Sequence, residues 1–271
     1  YMPNSSVMRE IGRLRELSFR QVQEGTGNAL DIDSYDRYYR HLILWDEDEL
    51  EIIGSYRIGE ASKILKEHGE SGLYTHSLFE FDSAFVPYLE HAIELGRSFI
   101  QPRYQGKRSL DYLWYGIGAY LHQHPEIRYM VGPVSLSTAL PESAQKVIAG
   151  FYTELFGKDE LLVKPRLPFD FELVEDFAPF RKVADEVEYK QAYTILKEKM
   201  DEFGVKVPVL YKQYVELCQP GGCEFLGFNI DPTFSNCVDA LILVHIDTIK
   251  EKKNQRYIES HAMVMQSLNS A

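Results

Sequence analysis

A mixed α/β fold is the class this sequence predicts, and three observations predict it. Over residues 1–157, helical periodicity and short β-branched or aromatic runs alternate as helix, two strands, helix, strand, loop, helix, strand, helix. Of the 271 residues, 45% are hydrophobic and 26% charged, a balance that buries a core and excludes disorder, collagen and coiled coil. The chain contains no internal repeat and no low-complexity tract.

The elements follow in order. From Met8 to Gln23 apolar residues recur at Ile11, Leu14, Phe19 and Val22 among charges, which makes one apolar helix face. The stretch Glu24–Asn28 ends that helix with two glycines that accept left-handed backbone. His41–Trp45 and Leu50–Ile58 read as strands joined by the acidic turn Asp46–Glu49, a hairpin. A short helix over Glu60–Glu67 stops at Gly69. Pro87–Ala92 reads as helical, Ile93–Ile100 as a strand and Pro102–Arg108 as a polar loop. Ser109 stands where an N-cap belongs, before a helix from Leu110 to His122 with Leu113, Ile117, Tyr120 and Leu121 on one face. Arg128–Ser135 is a further strand and Ser143–Phe156 a helix closed by Gly157.

Beyond Lys158 the patterns loosen. Glu188–Phe203 is helical up to Gly204, Cys237–Ile246 ends in a strand-like run, and Val205–Leu217 and Cys223–Phe228 are mixed. No linker rich in Gly, Ser or Pro separates this half. Residues 158–271 are therefore read as a C-terminal extension packed on the core of residues 1–157 and completing the same domain.

Lys and Arg number 29 and Asp and Glu 41, a net charge of −12. Nucleic-acid affinity comes mostly from neutralised phosphates, so no nucleic-acid partner is expected without a concentrated basic patch. The longest aliphatic run, Ala240–Val244, is far shorter than the ~20 residues that cross a bilayer. Nothing near the start reads as a signal peptide, although the opening Tyr1-Met2-Pro3 leaves an earlier targeting segment open. The expectation is a cytoplasmic protein with Cys218, Cys223 and Cys237 as buried free thiols. Their spacing makes neither a disulfide framework nor a metal-ligand set, and no metal site is expected.

Three clusters concentrate charge. Asp31-Ile32-Asp33-Ser34-Tyr35-Asp36 ordinarily reads as a solvated turn, and Arg57 in the second strand as an outward-facing residue. Glu94 and Arg97, three apart in an apolar strand, are more telling, because partly buried charges need partners. Residues three apart in a regular strand face opposite ways, so sharing one pocket would require a bulge, for which Gly96 is suited. The strand then enters Tyr104-Gln105-Gly106-Lys107-Arg108-Ser109 at the start of a helix, where backbone N–H groups and two cations make an anion site. It matches neither GxxxxGK[ST] nor GxGxxG.

Pro102-Arg103-Tyr104-Gln105-Gly106-Lys107, between a strand and a helix, resembles the donor-binding segment of the GNAT superfamily of acyltransferases. The closer resemblance is to the branch of acyl-homoserine-lactone synthases and ornithine-lipid N-acyltransferases, which includes proteins labelled haemolysins. Arg15 and Phe19 in the first helix, Asp33 and Asp36, Arg57, and Glu94 with Arg97 match that branch in order, over Arg9–Ser137, about half the chain. Two departures stand out. The usual GNAT loop has glycines where this chain has Arg108 and Leu110, and side chains there crowd a coenzyme A pyrophosphate but suit the single phosphodiester of a carrier-protein phosphopantetheine. The tryptophan that lactone synthases carry near Gly25 is missing, since both tryptophans, Trp45 and Trp114, lie elsewhere.

The resemblance implies a GNAT-like mixed sheet with flanking helices and direct transfer of a fatty acyl group from a thioester to the amine of a small amino acid, an aminolipid-forming reaction of the ornithine-lipid type. No cofactor would be permanently bound; the donor would be acyl-carrier protein in preference to acyl-CoA, with Lys107 and Arg108 facing the acidic carrier. Glu94 would be the base, through a water, with Arg97 fixing its position. Backbone N–H groups at Phe99 and Ile100 would meet the oxyanion, and Gln105, Gly106 and Ser109 would join the donor cradle. Arg57 or Arg15 would hold the acceptor carboxylate, while Asp33 and Asp36 would organise a covering loop or meet an acceptor amine. Phe169, Phe171, Phe177 and Phe180 would line an acyl groove, touch a membrane surface, or simply anchor the second half in the core. Lys250–Lys253 with Arg256 suits anionic lipid or a solvated helix end, the latter in preference, so peripheral membrane contact stays open. A lactone-forming signal synthase and a non-catalytic acyl or carrier-protein binder are the alternatives.

Overall fold

The computed structural model describes residues 5–182 and 185–260; the opening Tyr1-Met2-Pro3 lies outside them. Its elements run α1 (Ser6–Gln21), β1 (Arg40–Asp46), β2 (Glu51–Glu60), α2 (Ala61–His68), β3 (Phe79–Phe81), α3 (Val86–Leu89), β4 (Ala92–Ile100), α4 (Ser109–Gln123), β5 (Tyr129–Leu136), α5 (Glu142–Phe156), β6 (Val163–Pro165), α6 (Glu186–Glu202), α7 (Val209–Leu217), β7 (Cys223–Asp231), β8 (Cys237–His245) and α8 (Glu251–Asn254). Helix α1 begins because the Ser5 hydroxyl accepts from the Met8 N–H at 3.2 Å. Ser109 does not cap α4: Arg108 holds the cap position, and the Ser109 hydroxyl donates to the Tyr104 carbonyl at 3.1 Å.

Six strands form one sheet in the order β1-β2-β4-β5-β8-β7, with β3 and β6 making a separate pair. Every neighbouring pair in the large sheet is antiparallel except β4 with β5. The extension thus supplies two of the six strands. The main core joins both halves: Tyr56, Ile117, Ile148 and Phe151 pack in one cluster with Tyr211, Phe225 and Ile242. A second cluster on the other face holds Tyr39, Phe79, Phe85, Leu241 and Leu243. Phe177 lies inside the main core, and Phe169, Phe171 and Phe180 pack against it, so these rings anchor the second half. Cys218, Cys223 and Cys237 are all buried and free.

One irregularity positions the site. β4 and β5 pair only through Ala92 with Tyr129, Ile93 with Met130 and Glu94 with Val131, and then part. β5 meanwhile stays paired with β8 from Tyr129 to Leu136. The two backbones cross closely just before parting, since a Cβ on Gly132 would fall 2.1 Å from the Leu95 carbonyl oxygen. On the other edge of β4 the register slips: Ser55 faces Phe99, yet Arg57 faces Gly96. The extra residue sits at Arg97, whose φ of 49° is left-handed. Gly96, where the sequence suggested a bulge, instead faces open space.

Candidate active site

The parting strands open a cleft of about 200 Å³ floored by Leu95, Gly96, Arg97 and Ser98 on one side and Pro133, Val134 and Ser135 on the other. Helix α1 contributes Phe19, α7 Tyr214, and the turn between β7 and β8 Phe234. Phe19 and Phe234 meet edge to face at 5.0 Å. The strand-edge alternation of an antiparallel pair also fixes the backbone donors here. Gln101 N–H donates to Ile53 at 2.8 Å, so Phe99, two residues back in the same register, also faces β2. The Ile100 N–H therefore points to the parted side and that of Phe99 does not, which removes Phe99 from the expected oxyanion donors.

Behind the cleft lies a buried ion network that gathers most of the sequence-predicted residues. Arg15 and Asp36 are both 0% exposed and pair at 2.9 Å. Arg57 donates to both Asp33 oxygens at 2.7 Å and reaches Asp36 at 3.3 Å. Its Nε and Nη2 find no acceptor but lie among the rings of Tyr35, Tyr39 and Tyr74, whose centroids are 5.1–5.6 Å from the guanidinium carbon. Three residues expected to touch the acceptor, Arg15, Arg57 and Asp36, are thus occupied with one another and shut away from the cleft. Asp33 keeps partial exposure, but both its oxygens serve Arg57. The acidic run is no solvated turn, and Arg57 does not face outward.

Glu94 is displaced from its expected role as well. Its side chain is 1% exposed and is not part of the cleft wall. One oxygen accepts from the Tyr74 N–H at 3.0 Å and from the Tyr39 hydroxyl, the other from the Thr75 N–H at 2.7 Å. Every donor it meets belongs to the loop after α2 or to Tyr39, so this carboxylate clamps that loop to the sheet. The bulge explains why its partner goes elsewhere. Arg97 is turned to the cleft, with Tyr74 and Phe234 rings 4.7 and 4.6 Å from its guanidinium carbon and Asp31 at 3.1 Å.

Two carboxylates that sequence reasoning passed over share the cleft with Arg97. Asp239 on β8 is 2% exposed and accepts the Ser135 hydroxyl at 2.6 Å; burial, with Asp231 nearby, pushes its pKa up to about 7. Glu24, half-buried just past α1, is pushed up to about 8 by burial and by Asp239, with Arg97 opposing. Neither stands in a recognisable motif. The one local signal was glycine beside Glu24, which hints only at a turn.

At the donor end, α4 begins without a side-chain cap, leaving its first N–H groups open beside Gly106, whose φ is 74°. Gln105 donates to the Ile100 carbonyl at 3.2 Å and so braces the strand end. Arg108 swings outward to Asp111 at 3.3 Å and over Tyr112, so its side chain does not fill the helix terminus as crowding would require. Lys107 stacks over Tyr104 and has no carboxylate partner among the described residues. The basic run near the end is engaged within the fold: Lys250 with Glu186, Lys253 over Tyr257 and Arg256 with Asp111. Among the described residues no helix is long and apolar enough to cross a membrane, and no His, Cys, Asp and Glu cluster could hold a metal ion.

The profile of the acetyltransferase (GNAT) domain family matches residues 14–115. A glycine N(alpha)-acyltransferase of Phocaeicola vulgatus is 32% identical over 96% of this chain and 82% of its own length. An L-ornithine N(alpha)-acyltransferase of Brucella abortus is 32% identical over 89% of this chain and 83% of its own. Among solved structures, the CoA-dependent acyl-homoserine lactone synthase BjaI gives a TM-score of 0.33 at 14% identity, over 48% of this chain and 59% of that one.

Proposed function

This chain belongs to the GNAT amino-acid N(alpha)-acyltransferase family, and from that premise we propose that it moves a long-chain fatty acyl group from an acyl-carrier-protein thioester to the α-amine of a small amino acid, glycine first among them. The observation that carries this reading is the charge arrangement in the parted strands. A cation, Arg97, and two carboxylates, Glu24 and Asp239, line one cleft of about 200 Å³. An α-amino acid at neutral pH is a zwitterion, with carboxylate and ammonium one carbon apart. Arg97 suits the carboxylate, for which a planar guanidinium offers paired donors, and the opposite wall suits the ammonium.

Glycine is favoured because so small a cleft must also admit the thioester carbonyl, and because a relative matched over 96% of this chain is named for glycine. A diamine such as ornithine is the second reading, since two carboxylates could each meet one ammonium. The donor's pantetheine arm would lie along the free edge of β4, with its phosphate at the open terminus of α4 beside Lys107 and Arg108. Transfer needs no covalent enzyme intermediate: the nitrogen lone pair attacks the thioester carbon, the Ile100 N–H faces the developing oxyanion, and the thiolate leaves.

Purified protein incubated with palmitoyl-carrier protein, or palmitoyl-CoA in parallel, and a panel of amino acids should give N-acylglycine by mass spectrometry. Lactone from S-adenosylmethionine would make it a signal synthase, and no product from any pair would leave a binder. Arg97→Met should raise the acceptor KM by roughly 10–100-fold, the weight of a lost charged hydrogen bond, with the donor KM little changed. An unaltered acceptor KM would detach Arg97 from the acceptor.

A further inference from the structure

We propose that Glu24 is the residue that takes the proton from the acceptor ammonium, with Asp239 as its partner across the cleft. The assignment deepens the acyltransferase reading and rests on it.

The backbone holds Glu24 in place from three sides. Gln23 and Gly25 on either side of it have φ of 59° and 104°, so the turn presents Glu24 inward. Ser137 donates to the Val22 carbonyl, Thr138 to that of Gln23 at 2.9 Å, and Ser235 to that of Gly25 at 2.9 Å. The loop after β5 and the turn between β7 and β8 thus clip this turn over the cleft. Its carboxylate has no hydrogen-bond or ion-pair partner among the described residues, although it lines the cleft and is half-buried. A partly desolvated carboxylate left without a donor costs the fold stability and contributes nothing to it. Glu94 is the opposite case, with every donor within the protein and no access. A cationic ligand in the cleft completes Glu24.

The step balances as follows. The acceptor ammonium gives one proton to Glu24; the freed nitrogen lone pair forms the C–N bond; the C–S bond breaks with its electron pair on sulfur. The second nitrogen-bound proton passes to that sulfur by way of Asp239, giving the thiol, and Glu24 releases its own proton to solvent. The groups that face Glu24 are Asp239 and Cys237 from β8, Arg97 from β4, Tyr211 from α7 and Tyr74 from the loop after α2. Burial raises the tyrosines and Cys237 and Arg97 stays charged, so only the carboxylate pair titrates near neutrality.

The test uses the full chain with acyl-carrier protein and glycine. If the wild type makes no N-acyl product with any donor or amine, the functional reading itself falls. Given turnover, Glu24→Gln should lower kcat by roughly 10²–10⁴-fold, the usual reach of general-base assistance. It should also flatten the rise of kcat with pH, while Glu24→Asp should keep that rise at reduced height. Both carboxylates have folded pKa values raised above the unfolded ones, so each contributes stability below about pH 4 that is lost as pH rises through about 7 to 8. Glu24→Gln should therefore melt no lower than wild type at pH 8.5, a result a structural role would not give. Turnover within threefold of wild type with the pH rise intact, or a lowered melting temperature at pH 8.5, would overturn the assignment.

Discussion

Replacing Arg57 with alanine is expected to cost about 3–5 kcal/mol of folding stability, the usual penalty for removing one partner from a buried ion pair, while the acceptor KM of the protein that still folds stays close to wild type. Both Asp33 oxygens and one of Asp36 accept from this guanidinium. Without it two aspartates face each other, and Asp36 keeps Arg15 at 2.9 Å and the Asp33 N–H at 2.9 Å. Burial alone would raise the Asp36 pKa, but Arg15 and Arg57 outweigh it and hold the value at about 2. A depressed folded pKa means the stabilisation is complete above the unfolded value of about 4 and is lost as pH falls towards 2. Urea unfolding of wild type and variant at pH 7 and at successive steps below pH 4 would check both parts. The gap between the two proteins should narrow on acidification. A higher acceptor KM at undiminished stability would return Arg57 to the substrate.

Glu94→Gln should lower the unfolding free energy by about 2–4 kcal/mol, because a buried carboxylate is replaced by a group that donates where the site only offers donors. Tyr74 N–H, Thr75 N–H and the Tyr39 hydroxyl all point at these two oxygens. The amide can accept on one side and must set its own N–H₂ against donors on the other. For a chain of this size each kcal/mol moves the melting temperature by ~2–4 °C, so a fall of roughly 5–15 °C is the calorimetric signature. Turnover per folded molecule should drop by less than about tenfold, short of the loss a catalytic base would cause. A stable variant with activity reduced a hundredfold or more would restore Glu94 to the chemistry.

Much of this molecule was legible in the residues, and the reasons for the remainder are physical. α1, the β1–β2 hairpin, α4, α5 and α6 each carry a periodic apolar face or a turn signal within a single window, and each forms within a few residues of its expected bounds. β3 and β6 span three residues apiece, too few to show a period. α7 looked mixed because Tyr211, Tyr214 and Val215 are buried among the polar residues of only nine positions. The charged residues were found, but the sense of their side chains was not. One extra residue at Arg97 turns that guanidinium to the cleft and leaves Glu94 behind, and a bulge displaced by a single position leaves no mark in the sequence. Glu24 and Asp239 were missed for a different reason. They lie more than 200 residues apart, and only the completed sheet brings them to one cleft.

The order of strands across the sheet has a consequence for synthesis. β5 finishes at Leu136, yet the strand that hydrogen-bonds its outer side along all eight residues begins at Cys237. As the nascent chain emerges, that margin waits bare for roughly a hundred further residues, offering its main-chain groups to any other emerging copy. Polypeptides cut before Cys237 would keep the exposed margin permanently and should precipitate, whatever their intact motifs.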